Sequence, residues 1–487
     1  MNKITIVLCF MATLSFGQSD KELANNAVTQ SIIKSHLTFL ASDELKGRDT
    51  GSPELKIAAK YLESRFLEYG IQKVQGMDTY FQPVPMKKTI PPSAGSIILN
   101  DQTYTLEDDF LLLDGSSVSL SGTAVFANYG SEKELKKAKV KGKIVITLCG
   151  DGESQNPQEW FGQSVEKRMR AQQLGAIALL ELYNSPQLPW SVLVRFHGGE
   201  QVGVDNQQES KMPHLWMNRS ADELTALKER SSEAKISIEG ASVDRFTSQN
   251  IVGYVEGNHA DLKNEFVVYS AHYDHVGIGV ANDSGDTIYN GARDNAIGTV
   301  TVLSAAQNIA KNPTKRSALF ILFTAEEKGL LGSKYFVDNA PIPLENMVYC
   351  FNSDNGGYND TSKASIIGLT RTSAEALIVQ ACAAFGLEAI EDPAKEQGLF
   401  DRSDNVRFAA KGVPAPTFSM GFTAFDEEIT KYYHQPTDEP ETLDYEYLEK
   451  FFKSYVLACR LIGNADTAPF WNEGDKYHQA GMELYKK

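Results

Sequence analysis

The spacing of hydrophobic positions changes character along the chain and divides it into three stretches. Residues 28 to 70 repeat apolar positions every three or four residues, first in "SIIKSHLTFLASDEL" and then in "ELKIAAKYLESRFLEYG". This period predicts two helices, the second stopping at Gly70. The turn-rich "KGRDTGSP" separates them. From 90 to 130 the pattern becomes short and alternating. "SIILN" and "GTAVFANYG" read as strands divided by Gly, Asn and Asp turns. "KGKIVITLCGD" is a strand bounded by glycines. A helix follows in "SVEKRMRAQQLGAIALLEL", and its end merges into another apolar strand.

From 246 onward, apolar runs alternate with helical periods. "EFVVYSAH", "SALFILFTAEE", "NMVYCFNSD" and "APTFSMG" read as strands. "NAIGTVTVLSAAQNIAK", "GLLGSKYFVDN", "SAEALIVQACAAFG" and "YEYLEKFFKSYVLACRLIG" read as helices. Near-continuous apolar strands between helices predict an α/β fold, a mixed but mostly parallel sheet sandwiched by helices.

The chain has 487 residues, more than one ordinary core holds, so two domains are expected. A net charge of -16 argues against a nucleic-acid partner, because nothing supplies a basic stripe for phosphates. The N-terminal "MNKITIVLCFMATLSFGQSD" places Lys3 before an apolar run, with Ser15 and Gly17 at small-residue positions before a cut. Residues 1–17 therefore read as a signal peptide, too short to span a bilayer. The expectation is a secreted or periplasmic protein with no stable membrane anchor. Cys9 would leave with the signal. The remaining Cys149, Cys350, Cys382 and Cys459 match no zinc spacing. Cys382 and Cys459 are candidates for a disulfide, with buried free thiols the equal alternative.

Chemistry-bearing residues collect where the later strands end. "FVVYSA" runs into His272, Tyr273, Asp274 and His275. "ALFILFTA" runs into Glu326 and Glu327, and "MVYCFNS" into Asp354. Asp294 stands just before a helix, and His434 lies in the late loop "KYYHQPTDEPETLD". Ligands of open α/β sheets bind beyond the carboxyl ends of strands. Adjacent glutamates repel unless a positive group holds them. Two imidazoles with three or four carboxylates suit a pair of zinc ions or a similar borderline metal. Neighbours on an extended chain point to opposite faces, so one glutamate would ligate and the other act as general base. The segment from 121 to 245 has no such cluster, and His197 and His214 stand alone there.

"SAHYDHVG", "NGARDNAIGT", "FTAEEKGLLGS", "FNSDNGG" and "YYHQPTD" occur in that order. The set resembles the co-catalytic zinc aminopeptidases of the M28 peptidase family, and "HLTFLASDELKGRDTGSPE" resembles that family's opening segment. The middle segment resembles a protease-associated (PA) insert through "KGKIVITLCGD" and "LGAIALL". The resemblance implies a zinc exopeptidase-like fold with a smaller β-rich insert. Its implied boundaries are 18–120 and 246–487 for the peptidase domain and 121–245 for the insert.

The resemblance also implies two zinc ions and a peptide substrate with a free N-terminus. It implies that His272, Asp294 and Asp354 hold one zinc. Asp294 would bridge to a second zinc completed by Glu327 and His434. Glu326 would be the general base. Asp274 would orient His272 through its carboxylate, and Asp438 would do the same for His434. His275 would line the pocket or pack beside it.

Two positions depart from the family pattern. Arg293 stands where a second aspartate is common, and would pair with substrate or a nearby acid. Asn405 replaces a histidine expected near the substrate pocket. Alternatives to the aminopeptidase are a carboxypeptidase for acidic peptides using Arg293, Arg402 or Arg407, a glutaminyl cyclase-like enzyme with one zinc, and a non-catalytic binding protein. The oligomeric state is not legible in the sequence.

Overall fold

The computed structural model describes residues 18–154, 156–205, 212–220 and 232–486. The signal-peptide expectation and Cys9 lie outside them. The chain divides into two compact units at Val84/Pro85 and Thr247/Ser248. Among the described residues, no helix is long and apolar enough to cross a membrane.

The first unit is built on a sheet whose strands, in chain order, are β1 (Phe81–Ile90), β2 (Ser242–Val255), β3 (Phe266–His272) and β4 (Ser317–Phe323). β5 (Met347–Ser353), β6 (Lys363–Ile367), β7 (Glu388–Glu391) and β8 (Thr417–Met420) follow. Their spatial order is β7-β6-β8-β5-β3-β4-β2-β1. The centre is parallel: β3 pairs with both β4 and β5, and β5 with β8. β2 and β6 run antiparallel to their inner neighbours.

The middle strands are apolar along their whole length because both faces are covered. Along β4, Ala318, Phe320 and Leu322 enter one core cluster, while Leu319, Ile321 and Phe323 enter the other. Each fully buried Leu or Phe contributes roughly 1.5–3 kcal/mol. Phe320→Ala would remove a ring stacked on Tyr269 and cost about 3–5 kcal/mol.

Helices close both faces, and local chemistry fixes their ends. Helix α1 (Pro53–Tyr69) starts where the Ser52 hydroxyl accepts from the Leu55 amide at 3.0 Å, with proline in its first turn. It stops at Gly70, whose φ of 74° suits a residue without a Cβ. Helix α2 (Gly298–Lys311) is almost wholly buried, and α3 (Tyr445–Asn464) is capped by the Asp444 carboxylate.

The second unit holds a mixed sheet. Val118–Phe126, Ile144–Leu148, Ala178–Tyr183 and His214–Asn218 form its parallel centre. Ala94–Leu99 pairs antiparallel with Ser232–Glu239, and Phe110–Asp114 with His214–Asn218. The compact unit runs from Pro85 to Thr247. Alternation marks residues 94–114 as strands, but pairing partners assign them to this sheet. The sequence reading also passed over β1 and β2, where Pro83, Pro85 and a polar stretch from Ser242 to Gln249 interrupt the apolar pattern. All four cysteines in the described residues are buried and free, so Cys382 and Cys459 do not pair.

Candidate metal centre

The parallel strands β3, β4 and β5 bring their carboxyl ends together. His272 is the last residue of β3, Asp354 follows β5, and Glu326 and Glu327 follow β4. His272 Nε2 lies 3.2 Å from Asp354 Oδ1 and 3.3 Å from Asp294 Oδ1. The other Asp294 oxygen, Oδ2, lies 3.1 Å from His434 Nε2, which is 3.3 Å from Glu327 Oε2. One carboxylate thus faces two groups of donors. Two clusters have ligand atoms within 4.8 Å of one another: His275, Asp294, Glu327 and His434, and His272, Glu326 and Asp354.

The adjacent glutamates reach different clusters. The cause is not strand alternation, because β4 has already ended at Phe323. Ala325 adopts a φ of 58°, and this left-handed residue turns the chain just before the pair. His434 (φ 52°) and Leu330 (φ 59°) share that conformation.

Asp294 is held from behind. Asp438 accepts from the Asp294 amide at 3.2 Å and from the Arg293 amide at 2.9 Å. It also takes a guanidinium bond from Arg293 at 3.0 Å. Asp438 therefore positions Asp294 and does not contact His434 as the sequence suggested. Arg293 is sealed by this acid and by the Tyr432 ring, 3.6 Å from the guanidinium carbon, so it does not face substrate. Gly291 must be glycine, since a Cβ there would sit 2.3 Å from the Asp294 carbonyl oxygen and 2.5 Å from the His275 ring. On the far side, the Asn295 amide donates to the Ser353 carbonyl (2.9 Å) and Asn355 donates to Asn295 (3.1 Å), tying the Asp294 loop to the end of β5.

His272 Nδ1 donates to the main-chain carbonyl of Asp274 at 3.1 Å, while the nearer carboxylate oxygen is 3.8 Å away. The main chain, not the Asp274 carboxylate, holds Nδ1 and turns Nε2 toward the Asp294 and Asp354 carboxylates. The carboxylate has another task. It accepts from the Glu326 amide (3.1 Å) and the Thr50 hydroxyl (2.9 Å). Burial raises the Asp274 carboxyl to about 6 against the pull of His272. His275 lies 2.8 Å from Glu327 Oε1 and packs edge-on against the His434 ring.

Asn405 points inward. Its amide donates to the Ala415 carbonyl at 3.1 Å, so it does not line the substrate pocket. Sequence reasoning missed Arg48. Buried in "KGRDTGSP", it donates to the carbonyls of Leu40, Tyr273, Asn290 and Gly291. It thereby pins the loops bearing Asp274 and Asp294. The signal was a charged residue with two glycines in a turn flanked by helices, which composition alone cannot separate from a solvated loop.

Together the two clusters hold four carboxyl groups against three imidazoles. Burial pushes the Glu326 carboxyl well above the usual range, reinforced by Asp354, Asp404 and Glu327. Asp294 and Glu327 go the other way. Burial opposes their ionisation, but bonds from His272 and His434 to Asp294, and from His275 and His434 to Glu327, hold both below it. Burial also works against the His434 imidazolium, yet Asp294 and Glu327 draw its pKa up to about 10. A pocket of about 440 Å³ opens over this floor and continues past Gly329, Leu330, Tyr433 and Phe422.

Peptidase family M28 matches residues 250–458, the span that carries the five strand-end and loop motifs. Residues 250–458 are thus similar to peptidase family M28. It is 27% identical over 299 residues to Aminopeptidase YwaD of Bacillus subtilis, covering 59% of this chain and 63% of that protein. It is 28% identical over 142 residues to a probable leucine aminopeptidase of Arthroderma otae, covering 27% of this chain and 36% of that one. The chain thus spans less than two thirds of the length of these relatives. Among solved structures, an aminopeptidase from Aneurinibacillus sp. strain AM-1 superposes with a TM-score of 0.51 at 19% identity, over 91% of this chain and 96% of that one. This likeness concerns the fold, and it agrees with an α/β zinc exopeptidase-like architecture.

Proposed function

We propose that this chain is an M28-type, zinc-dependent aminopeptidase acting outside the cytoplasm, with two zinc ions held by His272, Asp294, Asp354, Glu327 and His434. The observation that carries the reading is Asp294, whose two oxygens face separate histidine and carboxylate groups. The donor set fits zinc: imidazole nitrogens and carboxylate oxygens, buried or half-buried, with more acids than bases. The signal-like N-terminal pattern supports the extracytoplasmic setting. The "KGKIVITLCGD" strand supports a PA-like identity for the insert.

Zinc bound here would supply positive charge that acidifies a water and polarises a scissile carbonyl. The protein's own groups do the rest. The Asp274 carbonyl holds His272 in the ligating tautomer, and Asp438 fixes the Asp294 backbone. The Asp274 carboxylate fixes the Glu326 amide, aiming that side chain at the cluster of His272 and Asp354. A buried carboxylate with high proton affinity is suited to take a proton from the attacking water and deliver it to the leaving amine. A pocket closed by acidic groups would hold a substrate ammonium and place the first peptide bond over the site.

The test joins metal analysis with blocked peptides. Protein purified without chelator should hold close to two zinc equivalents. N-acetylation of a peptide should abolish cleavage, while C-terminal amidation should not. Loss on amidation with tolerance of acetylation would replace the aminopeptidase by the carboxypeptidase. A firm value of one zinc with full activity would favour the cyclase-like reading.

A further inference from the structure

The wall of the pocket reverses the charge of its floor. Arg402 and Arg407 both line it, beside Leu330, Ile367, Leu399 and Phe422. Their fixed partners are neutral. Among the described residues, Arg402 reaches the Tyr433 hydroxyl at a long 3.5 Å, and Arg407 the Gly329 carbonyl at 3.2 Å. Arg407 Nε is buried with no hydrogen-bond partner in the described residues.

Four other arginines of this unit have acids, and the buried Arg48 is filled by four carbonyls. Arg293 pairs with Asp438, Arg316 with Glu265, Arg371 with Asp475 and Arg460 with Asp20. Two guanidinium groups left without carboxylates in one cleft offer several N–H donors to something that enters it. A guanidinium fork matches a carboxylate in two parallel bonds. The apolar residues around the pair lower the local dielectric and accommodate methylenes.

We infer that Arg402 and Arg407 bind a carboxylate of the substrate, a specificity that rests on the peptidase reading above. That carboxylate has two possible sources. It is the side chain of an N-terminal Asp or Glu, or the C-terminus of a short peptide.

Zinc-loaded full-length protein distinguishes them. The kcat/KM for Glu-p-nitroanilide is compared with Gln-p-nitroanilide, and that for Leu-Gly with Leu-glycinamide. A side-chain carboxylate makes the first ratio about 10- to 100-fold, and a terminal one makes the second that large. Arg402→Gln and Arg407→Gln should each pull the raised ratio toward one, with Arg407→Lys keeping part of it. Arg402 is solvent-exposed, so its variant tests the idea even if the Arg407 variants fold poorly. Ratios near one for both pairs, with Leu-p-nitroanilide cleaved, overturn the inference and leave the aminopeptidase reading standing. No cleavage of any free-amine substrate would sink that reading instead. Calorimetric titration with glutamate and glutamine then decides the inference alone. At least tenfold tighter glutamate binding, lost in the Arg402→Gln/Arg407→Gln protein, supports it, and equal binding overturns it.

Discussion

Both units of this chain bury carboxylates beside histidine, and they do so to opposite ends. In the second unit, Glu181 is fully buried on Ala178–Tyr183 and accepts from Lys167, from His214 at 2.6 Å and from Trp216 at 3.3 Å. Lys167 also donates to the carbonyls of Leu148 and Gly150. The charges close on themselves and no acid is left over. In the first unit, Asp294, Glu326, Glu327 and Asp354 face three imidazoles, with Asp274 and Asp404 buried close by. Burial raises the Asp404 carboxyl to about 7, and neither oxygen has a hydrogen-bond partner in the described residues. A balanced buried cluster is complete as it folds. A cluster in which acids outnumber imidazoles offers donor atoms to a cation from outside. The sign of the local imbalance, more than the presence of histidine, separates a structural cluster from a metal centre.

The sharpest test of that contrast is the Glu pair. Glu326→Gln preserves shape but cannot take the water's proton. Turnover should fall on the order of 10²–10⁴ with zinc content intact. Glu327→Gln should instead lower zinc content. A reversed outcome, measured by elemental analysis and steady-state rates, would exchange the two roles. Asp294→Asn follows in size of effect. It weakens both groups at once, so zinc should fall toward zero rather than toward one equivalent, while tryptophan fluorescence of the insert stays unchanged. Retention of a full equivalent would mean that Asp294 does not bridge.

The strand ends were legible because their signal is strong and local. Apolar runs give the period, and the residue that ends each run names itself, as His272, Glu326 and Asp354 do. What stayed hidden depends on contacts between distant segments. Arg48 supports four carbonyls from three separate stretches of chain. Asp438 serves Asp294 instead of His434, because Arg293 takes its second oxygen. Asn405 turns inward to the Ala415 carbonyl, so the substitution that looked relevant to specificity is replaced in the pocket by Arg402 and Arg407. The glutamates separate through one left-handed residue, Ala325, whose identity gives no hint of that conformation. The extent of the compact unit from Pro85 to Thr247 stayed hidden for the same reason, since strand pairing is non-local.

Lys167→Met challenges the balanced side of the comparison. It leaves Glu181 buried with only the neutral Trp216 donor and His214 beside it, and removing one partner of a buried ion pair costs about 3–5 kcal/mol. Three of the four tryptophans, Trp160, Trp190 and Trp216, lie in the insert and report its unfolding. Urea titration followed by their fluorescence should show the loss, with zinc content unaltered. A shift below about 1 kcal/mol would mean that the cluster contributes little.

Acid should separate the two units more gently. Burial opposes ionisation of Glu181, but the bond from His214 and the charge of Lys167 hold its carboxyl down at about 2, against an ordinary value of 4.5. A carboxylate with a depressed folded-state pKa stabilises the fold above its unfolded value. That stabilisation is lost as pH falls through the folded one. The window is therefore from about pH 4.5 down to about pH 2, and the contribution at stake is on the order of 3 kcal/mol. Denaturant melts of the insert, read by tryptophan fluorescence, should lose stability across this interval and change little from pH 5 to 7 on account of Glu181. The Lys167→Met protein should show a shallower acid slope, because with its cation gone the Glu181 carboxyl takes up its proton nearer to the unfolded value. An equal slope in both proteins would place the acid sensitivity elsewhere and leave Glu181 as a packed polar group with no ionic role.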